Sequence, residues 1–215
     1  MDILVIGEPT HLEEARQKFG AGHRYRSSIS RQESLIASRP NDVVFDFFLN
    51  EDKSSLTVYS AQPTLSAFIN VSMINLKQLA EAGLPNTVFG FCGLPTFLNR
   101  ELLEVSLLNQ DHQNRLKKIC GDLHTNYQIV TDRVGLVTPR VICMIINEAY
   151  CTVEEGTASR EDIDEAMKLG TNYPFGPFEW CDRIGVKNVC RLLGAMYEET
   201  MDERYKVCEL LRKQQ

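Results

Sequence analysis

Residues Ile146 to Val186 read INEAYCTVEEGTASREDIDEAMKLGTNYPFGPFEWCDRIGV, a stretch of helix signals, caps and turns with no β run in it. Its first word closes a helix that begins at TPRV: Pro139 sits in the first turn, where its missing N–H costs nothing, and Gly156 lies past the end. Ser159 caps the next helix, with Asp162 at its third position as a weaker form of the capping box, and that helix is expected to end at Gly170. GTNYPFGPFEW reads as a loop whose aromatics pack rather than line a pocket, and IGVKN to RKQQ is helical with one break. The acidic EEGTASREDIDE is read as a solvated helix start, well placed against the helix dipole.

Upstream the character is different. The apolar tetrad Ile3 to Ile6 does not alternate and is stopped by Gly7, as in a strand buried on both faces of a parallel sheet. HLEEARQKFG follows as a helix, then a short strand in HRYRSSI and a helix in SRQESLIASR. Asp42 to Leu49, Pro63 to Ser72 and Val88 to Cys92 supply further strands, with one more in LLEVSL. QDHQNRLKKICGDL is an amphipathic helix with Leu116, Ile119, Cys120 and Leu123 on one side, and IVTDRVG closes the region. Strands separated by helical connections predict a doubly wound α/β layer over residues 1–133, followed by an all-α domain over 134–215.

With 215 residues, 43% of them apolar, the chain can bury a sizeable core. A net charge of −6 argues against nucleic-acid or anionic-membrane partners. MDILVIGEPTH lacks a basic leader and no apolar run reaches the roughly 18 residues of a spanning helix, so a cytoplasmic protein is expected. The seven cysteines show no C-x-x-C pair, which suggests reduced thiols and no metal site.

The elements NEA, EEG, EDID.AM..G, GPFE and D.IG, in this order between Asn147 and Gly185, resemble the C-terminal domain of the NAD-dependent 3-hydroxyacyl-CoA dehydrogenases. Upstream, DRVGLVTPR resembles that family's hinge and FINVSMINLKQLA one of its strand ends. FGFCGLPTFLNRELLEV, Phe89 to Val105, resembles its histidine-bearing loop without a gap. The resemblance implies a shortened Rossmann-like domain and a helical domain of this family's type. It also implies NAD or NADP as cofactor, an acyl-CoA-type substrate and a homodimer through the helical domain. The implied reaction moves a hydride between a 3-hydroxyacyl thioester and the nicotinamide, with a histidine taking the hydroxyl proton and a glutamate fixing that histidine.

Carried over position by position, the glutamate falls on Glu104 and the substrate-holding serine on Ser72, while Gly7 and Asn70 fall at cofactor positions. The histidine falls on Cys92. The substrate asparagine falls on Pro139, which offers neither a side-chain amide nor an N–H, although Arg140 follows as in the family. After β1 the dinucleotide fold wants G-x-G-x-x-G, and this chain has GEPTHL, keeping Gly7 but placing Pro9 and Leu12 at the other glycines. Glu8 adds a carboxylate beside the expected pyrophosphate; two like unit charges ~4 Å apart at effective ε ~20 repel by about 4 kcal/mol. In place of an acidic residue for the ribose stands HRYRSS, whose Arg24 and Arg26 could meet a 2′-phosphate. Only 34 residues separate Gly7 from Asp42, short for the family.

Three readings stay open at this point: an oxidoreductase working with Glu104 and Ser72, a non-catalytic relative that binds an acyl-CoA or a protein, and an enzyme using Cys92 as a nucleophile. The last needs a partner that lowers the thiol pKa, for which His112 or His124 would have to fold nearby. His11, at the carboxyl end of the first strand, sits where a ligand would lie or merely caps a helix.

Overall fold

The computed structural model describes residues 1–36, 38–39, 42–48, 56–62, 65–85 and 87–215, in two compact units divided after Leu136. The first unit runs β1 (Asp2–Ile6), α1 (Pro9–Phe19), β2 (Arg24–Ser28), α2 (Arg31–Ile36), β3 (Asp42–Asp46), α3 (Leu56–Ser60), β4 (Ser66–Asn70), α4 (Leu76–Glu81), β5 (Phe89–Phe91), β6 (Leu102–Val105), α5 (Gln113–Asp122) and β7 (Asn126–Ile129). The expected strand ends at Leu49, Pro63 and Thr64 lie outside the described residues.

Five strands form one parallel sheet in the order β2-β1-β3-β4-β5. The non-alternating runs of β1 and β3 sit at its centre because both of their faces are covered. Polar RYRSS is left at one edge, and the three-residue β5 at the other is closed by an antiparallel bridge between Gly90 and Ser106. One face carries Ile3, Val5, Phe45, Phe47, Phe68, Phe89 and Phe91 against Phe19 of α1 and Leu116, Ile119 and Cys120 of α5. On the other, Asp46 is bound by Arg31 near the head of α2 and by the Tyr59 hydroxyl of α3 at 2.6 Å. Helices therefore flank both faces, as a doubly wound sheet requires.

The winding direction reverses between β1 and β3, so the crevice at their carboxyl ends is the topological switch point, where ligands bind in such sheets. A Rossmann order of 3-2-1-4-5-6 that loses its third strand becomes this order, which fits the short Gly7-to-Asp42 interval. β6 and β7 stand apart as a two-stranded parallel sheet, a pairing that strand signals alone do not reveal.

The second unit is helical: α6 (Thr138–Glu154), α7 (Arg160–Thr171), α8 (Pro177–Ile184), α9 (Val186–Thr200) and α10 (Glu209–Arg212), with a 3₁₀ turn at Glu203–Tyr205. Ile142, Ile146 and Tyr150 of α6 are buried with Trp180 and Ile184 of α8, Leu192 and Met196 of α9 and Leu211 of α10. α7 passes the expected stop at Gly170 and ends one residue later, at Thr171, followed by Asn172 in the left-handed region with φ 56°, a conformation asparagine tolerates. The expected loop GTNYPFGPFEW contains the start of α8. Pro177 opens that helix, the Gly176 N–H donates to Glu179 at 3.0 Å, and Asp164 accepts from the Phe178 and Glu179 amides at 2.8 and 3.2 Å. Asp164 is thus a cap and not merely a solvated charge.

Candidate active site

At the carboxyl ends of β4 and β5 the chain turns twice, at Asn70–Ser72 and at Cys92–Gly93, and the Asn70 amide holds the two turns together. Its Oδ1 accepts from the Ser72 N–H at 3.1 Å, the Ser72 hydroxyl at 2.5 Å and the Gly93 N–H at 2.9 Å, while its Nδ2 donates to the Phe47 carbonyl at 3.0 Å. A Cβ on Gly93 would lie 2.6 Å from Asn70 Cγ, so only glycine lets the two turns meet. Phe47 in turn donates its N–H to the Ile6 carbonyl at 2.9 Å, which carries the linkage to β1 and Gly7.

Cys92 Sγ lies 3.4 Å from Ser72 Oγ. Either atom can donate in this pair, the Ser72 hydroxyl also having Asn70 Oδ1 as an acceptor. Burial pushes the Cys92 thiol up to about 12; Ser72 and the Leu94 amide oppose the rise, and the charges of Glu104 and Glu14 add to it. At pH 7 the thiol form then exceeds thiolate by about 10⁵, and a neutral S–H can neither take a proton from a hydroxyl nor attack a carbonyl. The groups acting on it include no imidazole; His124 instead faces His23, with ring centroids 6.4 Å apart.

Glu104, half-buried on β6, lies near enough for its charge to act on Cys92 and on Arg100. Burial pulls the Arg100 guanidinium down, and the negative charge beside it opposes this. The segment from Leu94 to Glu101 is fastened to α1: Glu14 accepts from the Leu98 and Asn99 amides at 3.0 and 3.4 Å, and Lys18 donates to the Arg100 and Glu101 carbonyls. Thr96, at φ 75°, shows how tightly that segment is bent. Asp132 accepts from the Leu76 and Lys77 amides at 2.9 and 3.0 Å and from the Ser106 hydroxyl at 3.0 Å, fixing the chain beyond Ser72. Sequence reasoning missed Glu14, Lys18, Arg100 and Asp132. The one signal for Asp132 was its place in the hinge-like word.

The structure therefore brings Asn70, Ser72 and Cys92 into contact, puts Glu104 within reach of their field, and leaves Gly7 on a separate strand end. Gly7 donates its N–H to the Ser28 carbonyl at 3.0 Å, and the space above it is taken by the chain itself: a Cβ there would meet His11 Nδ1 at 2.5 Å. The residues present do not fit a pyrophosphate laid over this turn. Arg24 and Arg26, which sequence offered to a 2′-phosphate, pair within the sheet with Asp2 and Asp42.

In the helical unit Pro139 is buried in the first turn of α6, and Arg140 is bound to Glu199 at 3.0 Å and to the Tyr205 hydroxyl at 3.2 Å. Asn147 donates to the Lys206 carbonyl at 2.9 Å and accepts from the Cys208 N–H at 2.8 Å, so the NEA word works as a clasp between α6 and the approach to α10. A groove of about 630 Å³ lies along α6, lined by Val141, Met144, Ile145, Ile163 and Met167 with Arg204 among its lining residues. Among the described residues no cluster of three metal-ligating side chains occurs, and no helix is long and apolar enough to cross a membrane.

A parallel sheet with its switch point at β1 and β3, followed by a unit of helices, is a Rossmann-like domain with a helical partner domain. Residues 135–214 match the family model described as 3-hydroxyacyl-CoA dehydrogenase, C-terminal domain. The helical unit is thus a domain of the 3-hydroxyacyl-CoA dehydrogenase family. It is 42% identical over 148 residues to a 3-hydroxybutyryl-CoA dehydrogenase of Clostridioides difficile, covering 67% of this chain and 53% of the relative. It is 43% identical over 84 residues to the 3-hydroxyadipyl-CoA dehydrogenase of Escherichia coli, covering 39% and 18%. The chain thus spans about half the length, or less, of the curated relatives it matches. Among solved structures, FadB2 of M. tuberculosis superposes with a TM-score of 0.79 over 99% of this chain and 92% of that one, at 17% identity, a likeness of fold.

Proposed function

We propose that the chain is a 3-hydroxyacyl-CoA dehydrogenase-like protein that keeps the framework of an acyl-thioester site and has lost most or all hydride transfer between NAD(P) and a 3-hydroxyacyl thioester. The observation that carries this reading is Cys92. It stands at the position matched to the histidine base, it is buried, and its thiol, 3.4 Å from Ser72 Oγ, is pushed up to about 12. A positioned base is worth about 10²–10⁴ in rate, so its loss alone brings a typical turnover near 10 s⁻¹ down to about 0.1 s⁻¹ or less.

Ser72, Asn70 and Glu104 are the residues we assign to that framework, with Gly7 and Asn70 at the cofactor side. The remaining role is binding of an acyl-CoA or of a protein partner. We further propose a homodimer through the helical unit. The apolar groove on α6, with half-exposed Val141 in its lining, and the half-exposed Val137 support a second copy seating there.

The test is reduction of acetoacetyl-CoA with NADH and with NADPH, followed at 340 nm. We expect no turnover above about 0.1 s⁻¹. Cys92→His and the double variant with Pro139→Asn are expected to raise whatever rate is present. Reduction by the unaltered chain at about 10 s⁻¹ would falsify the reading.

A further inference from the structure

We propose that His11 fills, from within the chain, the place over Gly7 that a dinucleotide pyrophosphate would take, and that its ring closes the crevice between β1 and β3 to nicotinamide dinucleotides. This goes beyond the proton chemistry at Cys92, because it concerns cofactor entry at the crevice between β1 and β3 and is tested without any thioester.

Four observations converge on the ring. First, it lies on the turn itself: a Cβ on Gly7 would meet His11 Nδ1 at 2.5 Å and its Cβ at 3.1 Å. Close approach over a bare glycine is what lets a pyrophosphate reach the backbone in this fold, and here that space holds an imidazole. Second, the Glu8 N–H, which an anion would use, is given to His11 Nδ1 at 3.0 Å. Third, the ring lies flat on Phe47, with centroids 4.2 Å apart and planes 10° from parallel, and meets the edge of Phe48 at 6.1 Å. Phe47 and Phe48 follow directly from β3, so the side chain spans the crevice from the β1 side to the β3 side.

Fourth, the amides of the turn are already committed. Between Gly7 and Leu12, Pro9 has no N–H, Gly7 donates to Ser28, Glu8 to His11, and both His11 and Leu12 to the Glu8 carbonyl. Only the Thr10 amide is outside this set. A helix start binds anions through amides that point outward unsatisfied. Here they are turned inward, and the exposed Glu8 sets a carboxylate at the same mouth.

The experiment titrates NADH into the whole chain, read by nicotinamide fluorescence and by calorimetry, with no acyl-CoA present. The unaltered chain is expected to show no saturation up to about 5 mM. His11→Ala removes the ring and is expected to tighten NADH binding at least tenfold. His11→Asn keeps an acceptor for the Glu8 amide but takes the ring off Phe47, so it preserves the helix start should the alanine variant not fold, and it is expected to gain in the same direction. An NADH Kd below about 100 µM for the unaltered chain overturns the proposal. So does the absence of any gain in a folded His11 variant. Rapid turnover in the acetoacetyl-CoA assay by the Cys92→His variant, with His11 left in place, would refute this closure while leaving the Cys92 reading intact.

Discussion

Replacing Asn70 with alanine tests whether one amide holds the candidate site together. The side chain is 4% exposed and makes four hydrogen bonds: three donors converge on Oδ1, and Nδ2 reaches Phe47. After truncation the Ser72 hydroxyl can turn to Cys92 Sγ, 3.4 Å away, so its loss is partly offset. The Ser72 N–H, the Gly93 N–H and the Phe47 carbonyl each lose the partner that Asn70 provides. A buried polar group left unpaired costs about 1–3 kcal/mol; water entering the vacated space lowers the total for three groups to about 3–5 kcal/mol. For a chain of this size about 1 kcal/mol moves the midpoint by roughly 2–4 °C, so a fall of about 10 °C or more is expected. Thermal melts followed by circular dichroism give the midpoint. Hydrogen exchange at the Gly93 amide gives the local effect, which should accelerate far more than exchange in α9. A loss below about 1 kcal/mol with Gly93 still protected would show that the four bonds are not made together, and the description of Asn70 as the hub would be wrong.

The other predictions concern charge and assembly. Cys92 with its thiol near 12 should react with iodoacetamide at pH 7 at least 10²-fold more slowly than free cysteine; mass spectrometry showing it among the first thiols labelled would contradict a buried, protonated thiol. Burial raises the Glu14 carboxyl above its ordinary 4.5, so its contribution to stability is full below that value and is lost as pH rises through the folded one. Glu14→Gln keeps acceptors for the Leu98 and Asn99 amides without the charge. Its melting temperature should therefore improve relative to the unaltered chain on going from pH 4 to pH 7, and a decline would reverse the sign argued here. Light scattering should give the mass of two chains, reduced to one by Met144→Glu in the α6 groove; an unchanged dimer in that variant places the contact elsewhere.

Several elements could be read in the sequence because local pattern and final environment agree. Ile3–Ile6 and Val43–Phe45 are apolar without alternation and end in a sheet covered on both faces. Ser159 caps α7 through the Asp162 amide, and Gly156 follows α6 at φ 71°. What stayed hidden depends on distant partners. Glu14 looks like one more surface acid on a charged helix, yet it is buried because the segment beyond Cys92 folds back onto α1. Asp164 sits in an acidic run whose composition says solvent, but its oxygens cap a helix that starts 13 residues later. α8 was legible in principle, since Gly-Pro-x-Glu carries a proline at the first turn and an acceptor at the third position. The aromatics around it drew the eye to packing and concealed the helix start.

On the proposed reading, the bonds of the site account for a framework that outlasts its chemistry. The bonds that hold the two turns are mainly those of backbone amides and carbonyls to Asn70, Asp132 and Glu14, with a glycine that permits contact. Cys92 takes part through its side chain only in weak sulfur interactions, with the Ser72 hydroxyl and the Leu94 amide. Exchanging the residue at 92 therefore leaves the shaping bonds untouched, and a small thiol satisfies the pocket that burial prepared. Exchanging Asn70 or Gly93 would not be so contained, because the turns would separate. Nor would glycines at 9 and 12 suffice to reopen the crevice between β1 and β3 while His11 remained stacked on Phe47. Recovery of a dehydrogenase from this chain is on this view two separate operations, an imidazole restored at position 92 and an imidazole withdrawn at position 11. Neither alone should produce rapid turnover with NADH.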